Sequence, residues 1–258
     1  MKKLIMCSVF AVFCGALLFA QNYRDGFYFA QENDFTNNYK DQVVIEVKGG
    51  NIASVNWNRE TLAAGLVNGV PTGMPDFKTL ARSNASAKTW ADQAKVAEDY
   101  LVSSKNVNAT SVPNFPSGTA NATIFFDLVK KALASQPVAK GTYKDGWYYG
   151  IGVTDKDYGT DYVVITIVNG TIVDVLWNGV YGNGSKMVLS RSGGYDMSIA
   201  GAKNPWHVQS ANVGKELVRV QNPDLIKVTN NKPDAISGAS IAINYFLAAA
   251  KLALQSAR

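Results

Sequence analysis

The sequence predicts an α+β fold built twice in tandem, each copy an antiparallel hairpin sheet packed with helices. Three observations predict it. The chain repeats itself at a constant offset: Asp25-Gly26-Phe27-Tyr28 returns as Asp145-Gly146-Trp147-Tyr148, Val43-Val44-Ile45 as Val163-Val164-Ile165, and Trp57-Asn58 as Trp177-Asn178. From Arg24 to Asn58 against Lys144 to Asn178, 12 of 35 positions are identical without a gap, so the domain is duplicated. Each copy then carries β-rich runs joined by a two-residue turn, followed by helical periodicity, and strands do not alternate with helices as a parallel sheet requires.

In the second copy, Trp147 to Val153, Asp161 to Val168 and Thr171 to Trp177 read as strands. Asn169-Gly170 joins the last two as a tight hairpin, because both residues tolerate positive φ. Gly49-Gly50 has the same part in the first copy, between Gln42–Lys48 and Asn51–Trp57. Glycine-rich sequence from Gly179 to Gly201 reads as irregular. Helices are expected from Trp206 to Val218 and, in the first copy, from about Leu80 to Ser103, where Trp90, Ala94, Ala97 and Leu101 recur at helical spacing. Each copy ends in an alanine-rich helix, Asn121 to Ala134 and Ile241 to Ala257. Trp57 and Trp177, large rings at strand ends, are expected in the core.

Residues 1–20 have the form of an export signal: Lys2 and Lys3, an apolar run from Leu4 to Phe19, and the small Ala20. The run is shorter than the roughly 20 residues of a spanning helix, and polar sequence follows it. Cys7 and Cys14 both lie inside it, so the remainder has no cysteine and hence no disulfide, thiolate or cysteine–metal chemistry. Cys14-Gly15 offers a lipid attachment point and so a membrane anchor, against which stand the bulky Phe13 and the continuing apolar run. Beyond residue 20 there are 23 basic and 20 acidic residues, and no basic cluster interleaved with aromatics, so nothing points to nucleic acid. The expected division is residues 23–135 and 140–258, joined by the short Gln136-Pro137-Val138-Ala139.

The candidate site is Asp234-Ala235-Ile236-Ser237-Gly238-Ala239-Ser240, before the last helix. A small-residue turn opening a helix aims unpaired N–H groups outward and, with the helix dipole, seats a phosphate. Gly238 and Ala239 allow close approach, and Ser240 presents a hydroxyl. On physical grounds alone the same residues also suit a helix cap. The segment resembles the acceptor motif of the FMN-binding domain family, Asp-x-x-(Ser/Thr)-Gly-Ala-(Thr/Ser). That family includes the flavin-carrying subunits of the sodium-pumping quinone reductase and Rnf complexes and exported proteins of extracellular electron transfer. The resemblance extends to the Asp-Gly-x-Tyr opening and the hairpin. It implies FMN joined by a phosphoester to Ser240, with Asp234, Ser237, Gly238 and Ala239 as recognition and phosphate-turn positions. It also implies a flavin transferase using FAD and magnesium for maturation. Two departures stand out. The acceptor is Ser where the family usually has Thr. The first copy reads Asn114-Phe115-Pro116-Ser117-Gly118-Thr119-Ala120: Asn114 replaces the acid, Ala120 replaces the acceptor hydroxyl and Thr119 comes one residue early, so it is a degenerate copy that should carry no covalent FMN.

Other signals carry less. His207 is the single histidine, so neither a metal site nor a Ser-His-Asp grouping is supported. Gly150-Ile151-Gly152 and Gly182-Asn183-Gly184 do not continue as a dinucleotide fingerprint. Asp155, Asp157 and Asp161 read as a solvated turn, and the Asn-x-Ser/Thr triplets as accidental. Candidate neighbours of the flavin ring are Tyr148, Trp177, Tyr181 and Trp206. The expectation is an exported, periplasmic or outer-surface electron carrier, working between membrane and extracytoplasmic redox partners rather than as an enzyme with its own substrate. The alternative is a cofactor-free surface or periplasmic protein using the duplicated fold for binding or as an immunogenic scaffold.

Overall fold

The computed structural model describes residues 23–62, 66–67, 70–71, 76–82, 84–155, 159–182 and 184–258. Residues 1–22, with Cys7 and Cys14 and the expected export signal, lie outside the described residues, as do Asp157 and Asn183. In chain order the elements are β1 (Gly26–Gln31), β2 (Tyr39–Lys48), β3 (Asn51–Thr61), β4 (Leu66–Val67), β5 (Val70–Pro71), α1 (Phe77–Leu80), α2 (Ala85–Ser104) and α3 (Ala122–Leu133). The second half holds β6 (Gly146–Asp155), β7 (Gly159–Val168), β8 (Thr171–Tyr181), β9 (Gly184–Ser185), α4 (Lys186–Arg191), α5 (Trp206–Val220), β10 (Val228–Thr229), β11 (Lys232–Pro233) and α6 (Asn244–Gln255). The fold is α+β: sheets β1-β2-β3 and β6-β7-β8-β9, antiparallel throughout, each packed against helices.

Duplication extends to fine geometry. Both central hairpins carry a register shift at the same place, Glu46/Val47 and Thr166/Ile167. The Asp-Gly-x-Tyr opening is a clip on the hairpin turn. Asp25 accepts from the amides of Gly49 and Gly50 at 2.9 and 2.8 Å, and Asp145 accepts from Gly170 at 2.6 Å. The tyrosine hydroxyls then donate four residues back, Tyr28 to the Arg24 carbonyl at 2.7 Å and Tyr148 to that of Lys144 at 2.9 Å. Burial of the two tryptophans follows the same plan. Trp57 packs edge-on to Trp90 and against Phe125, and Trp177 does so with Trp206 and Phe246, all with centroids 5.0 to 5.4 Å apart. Each buried indole N–H donates to an aspartate on the neighbouring strand, Asp41 at 3.0 Å and Asp161 at 3.1 Å. A buried indole needs that acceptor, and the aspartate in turn needs a cation, supplied by Arg59 and Lys186.

Asp161 is therefore buried under the sheet, not part of a solvated acidic turn. Tyr245 donates to Asp155 at 2.8 Å, so that residue too has a structural partner. The region expected to be irregular from Gly179 to Gly201 instead continues β8 to Tyr181 and forms β9 and α4, because Ser185 caps α4 and Asn178 ties to Ser185 at 2.9 Å. Small residues explain the alanine-rich α6: a Cβ on Gly150 would lie 1.9 Å from the Ala249 carbonyl oxygen, so helix and β6 touch backbone to backbone.

Candidate functional site

The segment Asp234–Ser240 crosses from β11 toward α6 and lies against one face of α5. Three α5-side amides hold it. Asn212 Nδ2 donates to the Ser237 carbonyl at 3.2 Å, and Asn204 Nδ2 to that of Gly238 at 3.0 Å. Gln209 Oε1 accepts the backbone N–H of Ser240 at 2.7 Å. Gly238 sits at φ 75°, which favours glycine, and a Cβ there would lie 3.0 Å from Asn204 Nδ2 and push that clamping amide aside. Asp234, Ser237, Gly238 and Ser240 are exposed and Ala239 is half-buried. The five positions thus form one exposed turn.

Ser240 does not directly precede the last helix, as the expected start at Ile241 implied. The helix begins at Asn244, and Ile243, its cap residue, provides no side-chain cap. The reason is burial: Ile241 and Ile243 both enter the core, so the chain stays non-helical for three residues after Ser240. The Ile243 amide goes to the Asn231 carbonyl at 2.8 Å rather than into a helical ladder. Ser240 Oγ lies 3.4 Å from Gln209 Oε1, a weak contact that leaves the hydroxyl facing solvent.

The first copy repeats the support without the chemistry. Gln93 of α2 accepts the Ala120 amide at 3.0 Å and donates to the Pro116 carbonyl at 2.8 Å. Trp90-Ala91-Asp92-Gln93 and Trp206-His207-Val208-Gln209 are therefore matching pieces, each tryptophan in the core and each glutamine under the turn. Thr119 is exposed, one residue early, and Asn121 caps α3 onto the Thr123 amide at 2.9 Å. The glutamine clamps were not singled out in the sequence; the recurring Trp-x-x-Gln is the signal that could have found them.

Of the aromatic candidates, Trp177 and Trp206 are buried and committed to the core. Tyr148 is bound to the hairpin clip. Tyr181 is exposed and meets Tyr195 edge-on at 5.1 Å. His207 is less isolated than its lone occurrence implied: its Nδ1 is 3.0 Å from Ser190 Oγ. That hydroxyl is buried and also accepts the His207 amide at 3.1 Å, so the pair anchors α4 to the start of α5. Partial burial and the Arg191 charge hold the imidazole below its usual pKa.

Beside α5, a cleft of about 680 Å³ opens between the halves of the chain. Its wall includes Phe35, Lys40, Asp174, His207, Val208 and Lys215, and Asn212 belongs both to it and to the turn. Arg191 and Asp34 pair across it at 2.8 Å on both nitrogens, holding the Asp34 carboxyl at about 2.

No protein-family model matches the chain, and no curated protein does. The chain is similar to a solution NMR structure of a protein from Clostridium thermocellum, a Northeast Structural Genomics Consortium target. They are 39% identical, with 44% of this chain and 91% of that one covered and a TM-score of 0.35.

Proposed function

We propose that this chain is an exported electron-transfer flavoprotein carrying FMN as a phosphoester on Ser240, with the first copy a degenerate partner that carries no covalent FMN. One observation carries the reading. Both copies bind the turn through a backbone N–H, at Ala120 and at Ser240, so the scaffold asks nothing of the side chain at that position. The hydroxyl is surplus to the fold, exposed, and set in the motif whose last residue accepts FMN in the family it resembles.

Esterification suits this geometry. The Ser240 amide keeps its bond to Gln209, and only the 3.4 Å hydroxyl contact is lost. Gly238 keeps the turn open, and the exposed Lys203, Lys227 and Lys232 flank the segments that meet there, favouring a phosphate. In the transfer, Ser240 Oγ attacks the phosphorus on the FMN side of FAD and the P–O–P bridge breaks. AMP departs, and the hydroxyl proton passes to the transferase or solvent. When bound, the isoalloxazine would supply the redox chemistry. The chain's own residues fix its attachment point against α5, through the bond from the Ser240 amide to Gln209, and leave it open to membrane and extracytoplasmic partners. A covalent link suits an exported protein, whose cofactor would otherwise be lost by dilution.

The test is intact-mass measurement of the chain coexpressed with a flavin transferase. The expected gain is one FMN less one water, absent in Ser240→Ala and kept in Thr119→Ala. Colourless, non-fluorescent wild-type protein would leave the cofactor-free scaffold as the better account, and two flavins per chain would show the first copy to be competent.

A further inference from the structure

A buried charge cluster joins the two halves. Asp174, on β8, inserts its carboxylate against the first copy, where three donors converge on it: Gln31 Nε2 at 2.9 Å, Lys40 Nζ at 2.9 Å and Gln42 Nε2 at 3.2 Å. Glu60, on β3, sits beside them, 1% exposed, with Lys40 Nζ 2.9 Å from its Oε2. That approach is close but badly directed, and among the described residues neither Glu60 oxygen receives a well-formed hydrogen bond. A buried carboxylate needs donors to stay ionised: the Gln31 and Gln42 amides both go to Asp174, and Glu60 is left with a poorly directed share of the Lys40 ammonium. Asp174 is therefore the carboxylate of the pair, and Glu60 the acid, able to give its own hydrogen to Asp174. Trp147 Nε1, from the second half, closes the cluster by donating to Gln42 Oε1 at 3.0 Å.

None of this comes from the duplicated pattern. The counterparts of Lys40, Gln42, Glu60 and Gln31 are Thr160, Tyr162, Val180 and Ile151, and that of Asp174 is Ser54. The cluster belongs to the junction, not to either fold.

We propose that it is a proton-linked latch: docking of the two copies takes up one proton on Glu60, and alkaline pH loosens the junction. When docked, Lys40 faces two carboxyl groups and can neutralise only one. When undocked, Asp174 leaves, and Glu60 pairs with Lys40 alone as an ordinary ion pair within the first copy. Among the described residues the charged groups facing Glu60 are Lys40 of β2 and Asp174 of β8, with the Tyr162 phenol of β7 nearby. Burial, with Asp174 opposing Lys40, raises the docked Glu60 to about 8. The docked state thus holds the proton more tightly, and docking weakens as pH rises from the ordinary carboxylate range to about 8. One proton per event makes that about tenfold per pH unit.

The test is a ¹³C NMR titration of the Glu60 carboxyl in the whole chain, paired with urea denaturation across pH 5 to 9. Expected is a Glu60 midpoint near 8, falling to the ordinary range in Asp174→Asn. Glu60→Gln should equal or exceed wild type in stability at pH 8 and lose the decline between pH 5 and 8. A wild-type midpoint in the ordinary range, or a Glu60→Gln chain weaker than wild type at pH 8, would overturn the proposal. Should Glu60→Gln fail to fold, the wild-type titration alone decides.

Discussion

Gly214, at the middle of α5, tests whether the helix position sets the site. A Cβ there would lie 2.6 Å from the Val175 carbonyl oxygen, a backbone atom of β8 that cannot swing aside. Restoring ordinary contact at 3.4 Å requires α5 to withdraw by about 0.8 Å. Gly214→Ala gains about 1 kcal/mol of helix propensity. Overpacking of this kind costs about 1–3 kcal/mol. The clash should win, leaving a net loss of about 1 kcal/mol in urea denaturation. The same withdrawal carries Gln209 and Asn212 away from the turn, so the Ser240 amide should exchange faster with solvent. Ala120, held by Gln93 on a separate helix, is the internal control and should not change. Glu98 stands at the matching position of α2 and uses its carboxylate to accept the Trp57 amide at 2.6 Å, showing that the first copy keeps a wider gap. The reasoning fails if Gly214→Ala is more stable than wild type by the full propensity gain while Ser240 exchange is unaltered.

Further predictions follow from the same contacts. Gly150→Ala, whose Cβ would meet the Ala249 carbonyl at 1.9 Å, should cost about 3 kcal/mol by urea denaturation, at the upper end of overpacking effects. Gln209→Ala leaves a Ser240 amide without its acceptor and should cost about 1–2 kcal/mol, with flavin loading, read by intact mass, reduced but not abolished. His207 is held neutral in the folded chain, so its contribution is present above the usual imidazole pKa and is lost as pH falls through the folded value. His207→Gln should flatten the thermal-stability profile below pH 6.5. Asp34→Asn breaks an exposed cross-cleft pair and should change stability by less than about 1 kcal/mol.

The fold was legible wherever local physics acts alone. Period-two patterning and the Asn169-Gly170 and Gly49-Gly50 turns place the strands, because a hairpin is specified by its own residues. Helix starts were less legible. The sequence pattern runs through Ile241 to Ala257, yet α6 begins three residues later, because burial of Ile241 and Ile243 outweighs helix propensity. Asp161 misled for a similar reason: among other aspartates it reads as solvated, and only the fold reveals the indole and the lysine that hold it. Ser190 and His207 are 17 residues apart, a pairing that no short motif records.

At the site, what could be read was the exposed chemistry, and what could not was the support beneath it. Asp234 to Ser240 is one contiguous stretch, so its residues are neighbours whatever the fold does. Gln209, Asn204 and Asn212 come from another segment, and side-chain amides that bind a turn's backbone N–H and carbonyls leave no trace in composition. Duplication supplies the missing discrimination. Positions that both copies need for folding (the core tryptophans, their aspartate acceptors, the turn clip and the clamping glutamines) recur with matching partners. Position 240 keeps the backbone bond and changes the side chain, from the Ala120 methyl to a hydroxyl. A residue under purely structural demand at that place would be satisfied by alanine, as its twin is. The hydroxyl is therefore not required by the contacts that hold the turn, and the proposed ester to a phosphate would use it without disturbing the backbone bond on which the turn depends.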